Sequence, residues 1–312
     1  MNQKSFQKFF IIFSCLLSLL VRLPDVVDAG DAPENQPQRI ISTSPSITEI
    51  LFELGLKDRV VAVTDFCIYP VEACLLPSIG GMINPDMETV VSLRPDLIIH
   101  QTGNQRIANN AKSLSIPTLN VDVGKLAEIF ATIKKLGFKL NCQQSAKKLL
   151  HHLNEKIGYY QKQLKGLPKK KVLLLLGDSS DPSRDLYAVG PGTFLNEILN
   201  LAGGKNIIES SQAQYPKLSK EFIIEKSPEV IIEAGPKSNL PQKEIDHRIK
   251  EWNRFPTIQA VKDKRIHFIG ADYILLPGPR LVKILENFSK VIHPDVFGDQ
   301  TEKATLQGSH KQ

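Results

Sequence analysis

Tryptophan occurs once in this chain of 312 residues, methionine three times and cysteine four times. No CxxC pair and no cysteine/histidine set at zinc-ligand spacing is present, which argues against a structural metal site. GxSxG, HExxH and the protein-kinase phrases are also missing. Gly190-Pro191-Gly192-Thr193 lacks the P-loop lysine and the full dinucleotide fingerprint, so Gly192 or Thr193 reads as an ordinary helix start. These absences point away from an enzyme. The formal charge of +6 is mild. Lys134-Lys135, Lys147-Lys148 and residues 169–171 stand without interleaved aromatics, so they read as solvated helix faces and no nucleic-acid partner is expected.

Hydrophobic residues make up 42% of the chain and charged ones 23%, the balance of a globular protein long enough for two ordinary domains or one large one, each able to bury its own core. The first 29 residues differ. Lys4 and Lys8 precede an apolar run at residues 9–21, and Val27-Asp28-Ala29 offers small residues at signal-peptidase spacing. The run is too short to cross a bilayer, so residues 1–29 read as a signal peptide and the protein as exported, to the periplasm. A lipid anchor at Cys15 is disfavoured by the short apolar segment before it. Removal of the leader leaves Cys67, Cys74 and Cys142, an odd number for an oxidising compartment. Cys67 and Cys74 are candidates for one disulfide; the other reading is three buried thiols.

Strand-like and helical phrases alternate from residue 38 onward, which predicts βαβ units with mainly parallel sheets. Ser46 and Glu49 have capping-box spacing, and Asn84 followed by Pro85 marks a second helix start. Several phrases return. Glu49-Ile50-Leu51 recurs as Glu197-Ile198-Leu199, an offset of 148 residues, while Arg94-Pro95-Asp96-Leu97-Ile98-Ile99 recurs as Ser227-Pro228-Glu229-Val230-Ile231-Ile232, an offset of 133 that also carries Glu88 onto Glu221. Between the copies, residues 141–166 place Leu149, Leu150, Leu153, Ile157, Tyr160 and Leu164 at helical spacing. The expectation is an α/β protein of two Rossmann-like lobes, residues 38–140 and 167–295, joined by one long backbone helix, with a disordered tail at residues 296–312.

Ser44-Pro45-Ser46-Ile47-Thr48-Glu49, the segment Asp65-Phe66-Cys67-Ile68-Tyr69-Pro70, the phrase Arg94-Pro95-Asp96-Leu97-Ile98-Ile99, Leu201-Ala202-Gly203-Gly204-Lys205-Asn206 and Pro277-Gly278-Pro279-Arg280 together resemble the periplasmic cobalamin-binding proteins, of the helical-backbone class that also carries ferric siderophores and haem. The resemblance covers residues 38–295. It implies a ligand cleft between the lobes, no resident cofactor, a metal chelate as cargo with a corrinoid first, and docking of Glu88 and Glu221 onto arginines of an ABC importer's permease subunits. It further points to contacts from Phe66, Met82, Tyr215 and Asp272, and His100, at the end of a strand near the expected cleft, reads either as a fifth contact or as a satisfied strand-end residue. Met82 and Tyr215 stand where the family has tryptophans, Gln101 where it has another, and Leu276 where it has an arginine. A ferric-siderophore or haem carrier is the alternative cargo reading, and a sensor, scaffold or enzyme the alternative class.

Overall fold

A computed structural model describes residues 36–177 and 186–298 of the chain. The expected leader, with Cys15, and residues 299–312 of the expected tail lie outside the described residues. Two four-stranded parallel sheets organise the rest. The first contains β1 (Ile40–Ser42), β2 (Val60–Ala62), β3 (Leu97–Gln101) and β4 (Thr118–Val121) in the order β2-β1-β3-β4. The second contains β5 (Lys170–Leu176), β7 (Gly204–Asn206), β9 (Val230–Gly235) and β10 (Ile266–Gly270), whose order β7-β5-β9-β10 is the same topology. A short antiparallel pair, β6 (Leu186–Tyr187) with β8 (Lys217–Leu218), adds to the second lobe. The strands read as unbroken apolar runs because both sheet faces are covered: Val172 to Leu175 and Val230 to Ile232 are all buried.

Helices of the first lobe are α1 (Pro45–Glu53), α2 (Met87–Ser92), α3 (Gln105–Ser113) and α4 (Leu126–Lys139). The backbone helix α5 (Gln143–Gln163) follows, and the second lobe carries α6 (Phe194–Leu201), α7 (Lys220–Lys226), α8 (Gln242–Trp252), α9 (Gln259–Lys262), α10 (Leu281–Ile292) and α11 (Pro294–Phe297). The predicted stripe on α5 is the one that packs: Ala146, Leu149 and Leu153 are buried, and Leu150, Ile157 and Tyr160 pack half-buried against the same core. Gly137 of α4 lets the two helices approach, since a Cβ there would overlap Ala146 of α5.

The duplication extends to backbone detail. Arg94 and Ser227, equivalent by the repeat, both turn out of their helices with positive φ, 46° and 40°, a costly conformation for residues with a side chain. The helix starts differ from expectation. Ser44, not Ser46, caps α1 by accepting from the Ile47 N–H, with Pro45 in the first turn, so the Glu49 carboxylate is free for another partner. Asp86, not Asn84, caps α2, and the Asn84 amide oxygen instead accepts from Arg106. Lys170 and Lys171 belong to a strand, not a helix face. Residues 296 and 297, expected in the tail, are helical instead, because α11 runs through Phe297, whose ring lies 5.3 Å from that of Tyr160.

His267 on β10 records a cost of this packing. Burial first, then neighbouring Arg265, pushes its imidazole down to about 4, and its Nε2 finds no hydrogen-bond partner among the described residues. A histidine neutral when folded but able to protonate near 6.5 when unfolded leaves stability intact above pH 6.5 and removes it as pH falls toward 4. His267→Leu is expected to flatten that decline, gaining about 2 kcal/mol over the wild type at pH 4.5 and little at pH 7. Urea midpoints at the two pH values check it; equal gains at both would assign the effect to packing alone.

Candidate functional site

Ligand sites in parallel α/β sheets form beyond the carboxyl ends of the strands, where the strand order reverses. Here both sheets turn those ends toward one cleft. At the end of β3 the chain presents Gln101 and Thr102, and after β4 it presents Asp122, Val123 and Gly124. The second lobe contributes Thr193 and Phe194 from the start of α6, Gln214 and Tyr215 from the loop before β8, and Leu275 and Pro277 after β10. With Glu128 of α4 these residues line a cavity of about 300 Å³.

Local chemistry holds the walls. The Gln101 amide donates to Ser44 Oγ at 3.1 Å, so the α1 cap also orients a cleft residue. Thr193 caps α6 by accepting from the Asn196 N–H at 3.2 Å and donates to the Gly190 carbonyl. The Gly190 N–H in turn donates to the Gln214 carbonyl at 2.8 Å, and a Cβ on Gly190 would sit 2.9 Å from that oxygen, so the loop carrying Tyr215 needs glycine opposite it. Tyr215 is 39% exposed, and burial of the remainder raises its phenol above the ordinary value, which keeps it a protonated hydrogen-bond donor. Asp122 and Glu128 are the charged residues on these walls; no lysine or arginine lies among the described lining residues.

Of the five residues expected to touch ligand, Tyr215 lines this cavity and the other four do not. Phe66 stands 59% exposed in the segment after β2. Met82 is half-buried nearby, its carbonyl accepting from Asn104 at 2.8 Å. His100 is buried within β3, with Nδ1 3.1 Å from the Gln101 carbonyl. Asp272 is occupied: its carboxylate accepts from Arg280 Nη1 at 2.6 Å. Gln214 was not recognised from sequence, for loop residues carry no periodicity, and Thr193 and Phe194 read only as a helix start; Gln101 and Asp122 had a usable signal, their position at the end of or directly after an apolar strand.

Glu88 and Glu221 occupy the same place on α2 and α7, the second residue after caps Asp86 and Ser219, and both are exposed. A carboxylate in a helix's first turn is favoured by the macrodipole. The Cys67–Cys74 bridge is not formed. The Cys67 thiol is buried between the hydroxyls of Thr48 and Thr64, each 3.2 Å away, while exposed Cys74 reaches only the Cys67 carbonyl; Cys67, Cys74 and Cys142 are free. Trp252 is a packing residue whose indole donates to buried Glu233 at 2.9 Å. Among the described residues no three His, Cys, Asp or Glu side chains converge as a metal site, and no helix is long and apolar enough to cross a membrane.

The sequence profile of the family described as periplasmic binding protein matches residues 40–273. An uncharacterised ABC transporter substrate-binding lipoprotein of Bacillus subtilis is 29% identical over 283 residues, 89% of this chain and 87% of that protein. The vitamin B12-binding protein of Yersinia pestis is 28% identical over 214 residues, 67% of this chain and 73% of that one. Among solved structures, a possible iron-binding periplasmic solute-binding protein of Staphylococcus epidermidis superposes with a TM-score of 0.71 at 26% identity, covering 83% of this chain and all of that one. The periplasmic vitamin B12-binding protein of Vibrio cholerae superposes at 0.70 with 24% identity over 85% and 99% of the two chains, a likeness of fold.

Proposed function

The chain belongs to the periplasmic binding protein family, and from that premise we propose that it captures a corrinoid-like metal chelate in the inter-lobe cleft, unchanged chemically, and hands it to the membrane subunits of an ABC importer. The observation that carries the choice of ligand is the wall chemistry. Gln101, Thr102, Thr193 and Gln214 offer neutral donors and acceptors, Phe194 and Tyr215 offer aromatic surface, and the charges are carboxylates. A corrin ring edged with amides matches neutral hydrogen-bonding groups, and its flat face suits an aromatic ring. Haem propionates or an anionic ferric siderophore would instead meet Asp122 and Glu128 without a cation to pair with. The B12-binding name of the Yersinia relative agrees with this choice. An iron chelate is the second reading, favoured by the description of the Staphylococcus structure.

In the working cycle Glu88 and Glu221 engage arginines of the permease, one per lobe, through charge-assisted hydrogen bonds. Two matched carboxylates on two matched lobes suit a partner of two-fold symmetry. Export across the inner membrane, to the periplasm or to a lipid anchor like that named for the Bacillus relative, places the protein beside that partner.

Isothermal titration of the purified protein with cyanocobalamin, cobinamide, haem and ferric siderophores tests the ligand. One-to-one binding of the corrinoids is expected, with Tyr215→Leu weakening it by about tenfold through loss of one aromatic contact and one hydroxyl. Silence toward corrinoids with tight binding of haem or a siderophore would replace the ligand and keep the carrier role.

A further inference from the structure

Two glutamates made equivalent by the duplication cross between the lobes in opposite directions. Glu49 of α1 reaches into the second lobe, accepting from Arg280 Nε at 3.0 Å and Nη2 at 2.6 Å. Glu197 of α6 reaches into the first lobe, accepting from the Leu126 N–H at 2.6 Å. Their targets correspond as well: Arg280 is the cap residue of α10 and Lys125 that of α4, the helices that follow β10 and β4. A cation at a helix N-cap is favoured neither by capping chemistry nor by the helix dipole. Neither side chain caps its own helix. At α10, whose first turn holds no acid, the negative charge arrives from the opposite lobe; at α4 Glu128 of the first turn already accepts from the Lys125 N–H at 3.1 Å, and Glu197 adds a second carboxylate from across the cleft.

The two ties are unequal. At the first, Glu49 and Arg280 are almost wholly buried, with side chains 2% and 8% exposed. Arg280 also pairs with Asp272, and its guanidinium stacks 3.8 Å from the Tyr69 ring of the first lobe. At the second, Glu197 holds one backbone N–H and is half-buried on the wall of a cavity of about 470 Å³. Its neighbour is one further inter-lobe bond, from the Phe194 N–H to the Gly124 carbonyl at 2.8 Å. Separation at the first tie would strand buried charges. Separation at the second exposes a helix-start N–H that water satisfies readily.

We propose that Glu49 with Arg280 is the fixed pivot between the lobes and that Glu197 is the releasable latch, so that the cleft opens on the side of α4 and α6 and Glu197 sets how fast ligand leaves. Both are positioning residues; Phe194, which lines the cleft, moves with the latch. The proposal deepens the carrier reading and rests on it only for the ligand arm of the test.

Spin labels carried by noncanonical residues on the exposed first turns of α2 and α7 report the distance between lobes by double electron–electron resonance without any ligand. Glu197→Leu is expected to broaden the distribution toward longer distances with the melting temperature nearly unchanged, while Glu197→Gln, which retains an acceptor for the Leu126 N–H, restores it. Glu49→Gln is expected to lower the melting temperature and leave the distribution's width alone. In cyanocobalamin release, Glu197→Leu should raise koff by about tenfold, the worth of one hydrogen bond to a charged acceptor. An unchanged distribution in Glu197→Leu, or equal broadening in a folded Glu49→Gln, would overturn the assignment even if corrinoid binding were tight. Broadening as expected in a protein that ignores corrinoids would uphold it and discard only the ligand.

Discussion

Arg280→Met is expected to lower stability by about 3–5 kcal/mol, the cost of leaving one half of a buried ion pair uncompensated. Burial first, opposed by the Arg280 guanidinium, already raises the Glu49 carboxyl above the ordinary carboxylate range. Without the arginine Glu49 must either remain charged in an apolar site or take up a proton. Asp272, 35% exposed, can turn to water when its partner is removed, and so adds little. The guanidinium's stack on Tyr69 is lost too, worth about 1 kcal/mol. Pairing the change with Glu49→Leu removes the stranded charge, so the double variant is expected to recover more than half of the loss. Urea unfolding of the four proteins in the cycle measures this. A single-variant loss below about 1 kcal/mol, or a double variant no better than the single, would mean that the pair does not hold the lobes together.

Glu88→Lys with Glu221→Lys is expected to cut ligand uptake by at least 100-fold in cells carrying the matching importer, while ligand affinity stays within about twofold. Reversal replaces a charge-assisted hydrogen bond with like-charge repulsion, and each 1.4 kcal/mol of lost docking energy is a factor of ten. Both carboxylates are exposed and neither lines the described cavity, so the cleft has no stake in them and the folded state loses only their small helix-dipole stabilisation. Either single reversal should leave about a tenth of the uptake, since the other lobe still docks. Uptake of labelled ligand beside titration of the same variants separates the two roles; normal uptake by the double variant would remove Glu88 and Glu221 from the docking surface.

The equivalence of those two glutamates was visible in the sequence because each lies nine residues before a strand in a phrase that repeats. Local rules carried the elements likewise: the apolar stripe of α5 packs as its spacing demands. The helix starts shifted because several residues in each loop could cap. Ser44 and Ser46 both have the chemistry, and the fold selects the serine whose backbone is extended, with Pro45 following it.

The site was less legible. Tyr215 was found through the family resemblance, as the residue standing where that family has a tryptophan, whereas Gln214 lies in a loop with no period and Thr193 and Phe194 were legible only as a helix start. Asp272, expected to touch ligand, is also engaged by Arg280, while Cys67 and Cys74, close in sequence, are both free thiols.

Two lobes of like topology, the long helix between them and the matched pair of exposed acids were determined by the sequence alone, since each depends on periodicity, capping or repetition within a few tens of residues. Only the tertiary structure decided which groups meet across the cleft. Glu49 and Arg280 are 231 residues apart, and no local preference of either one names the other. Their contact follows from how two sheets of like order turn their carboxyl ends together, a consequence of packing over the whole chain.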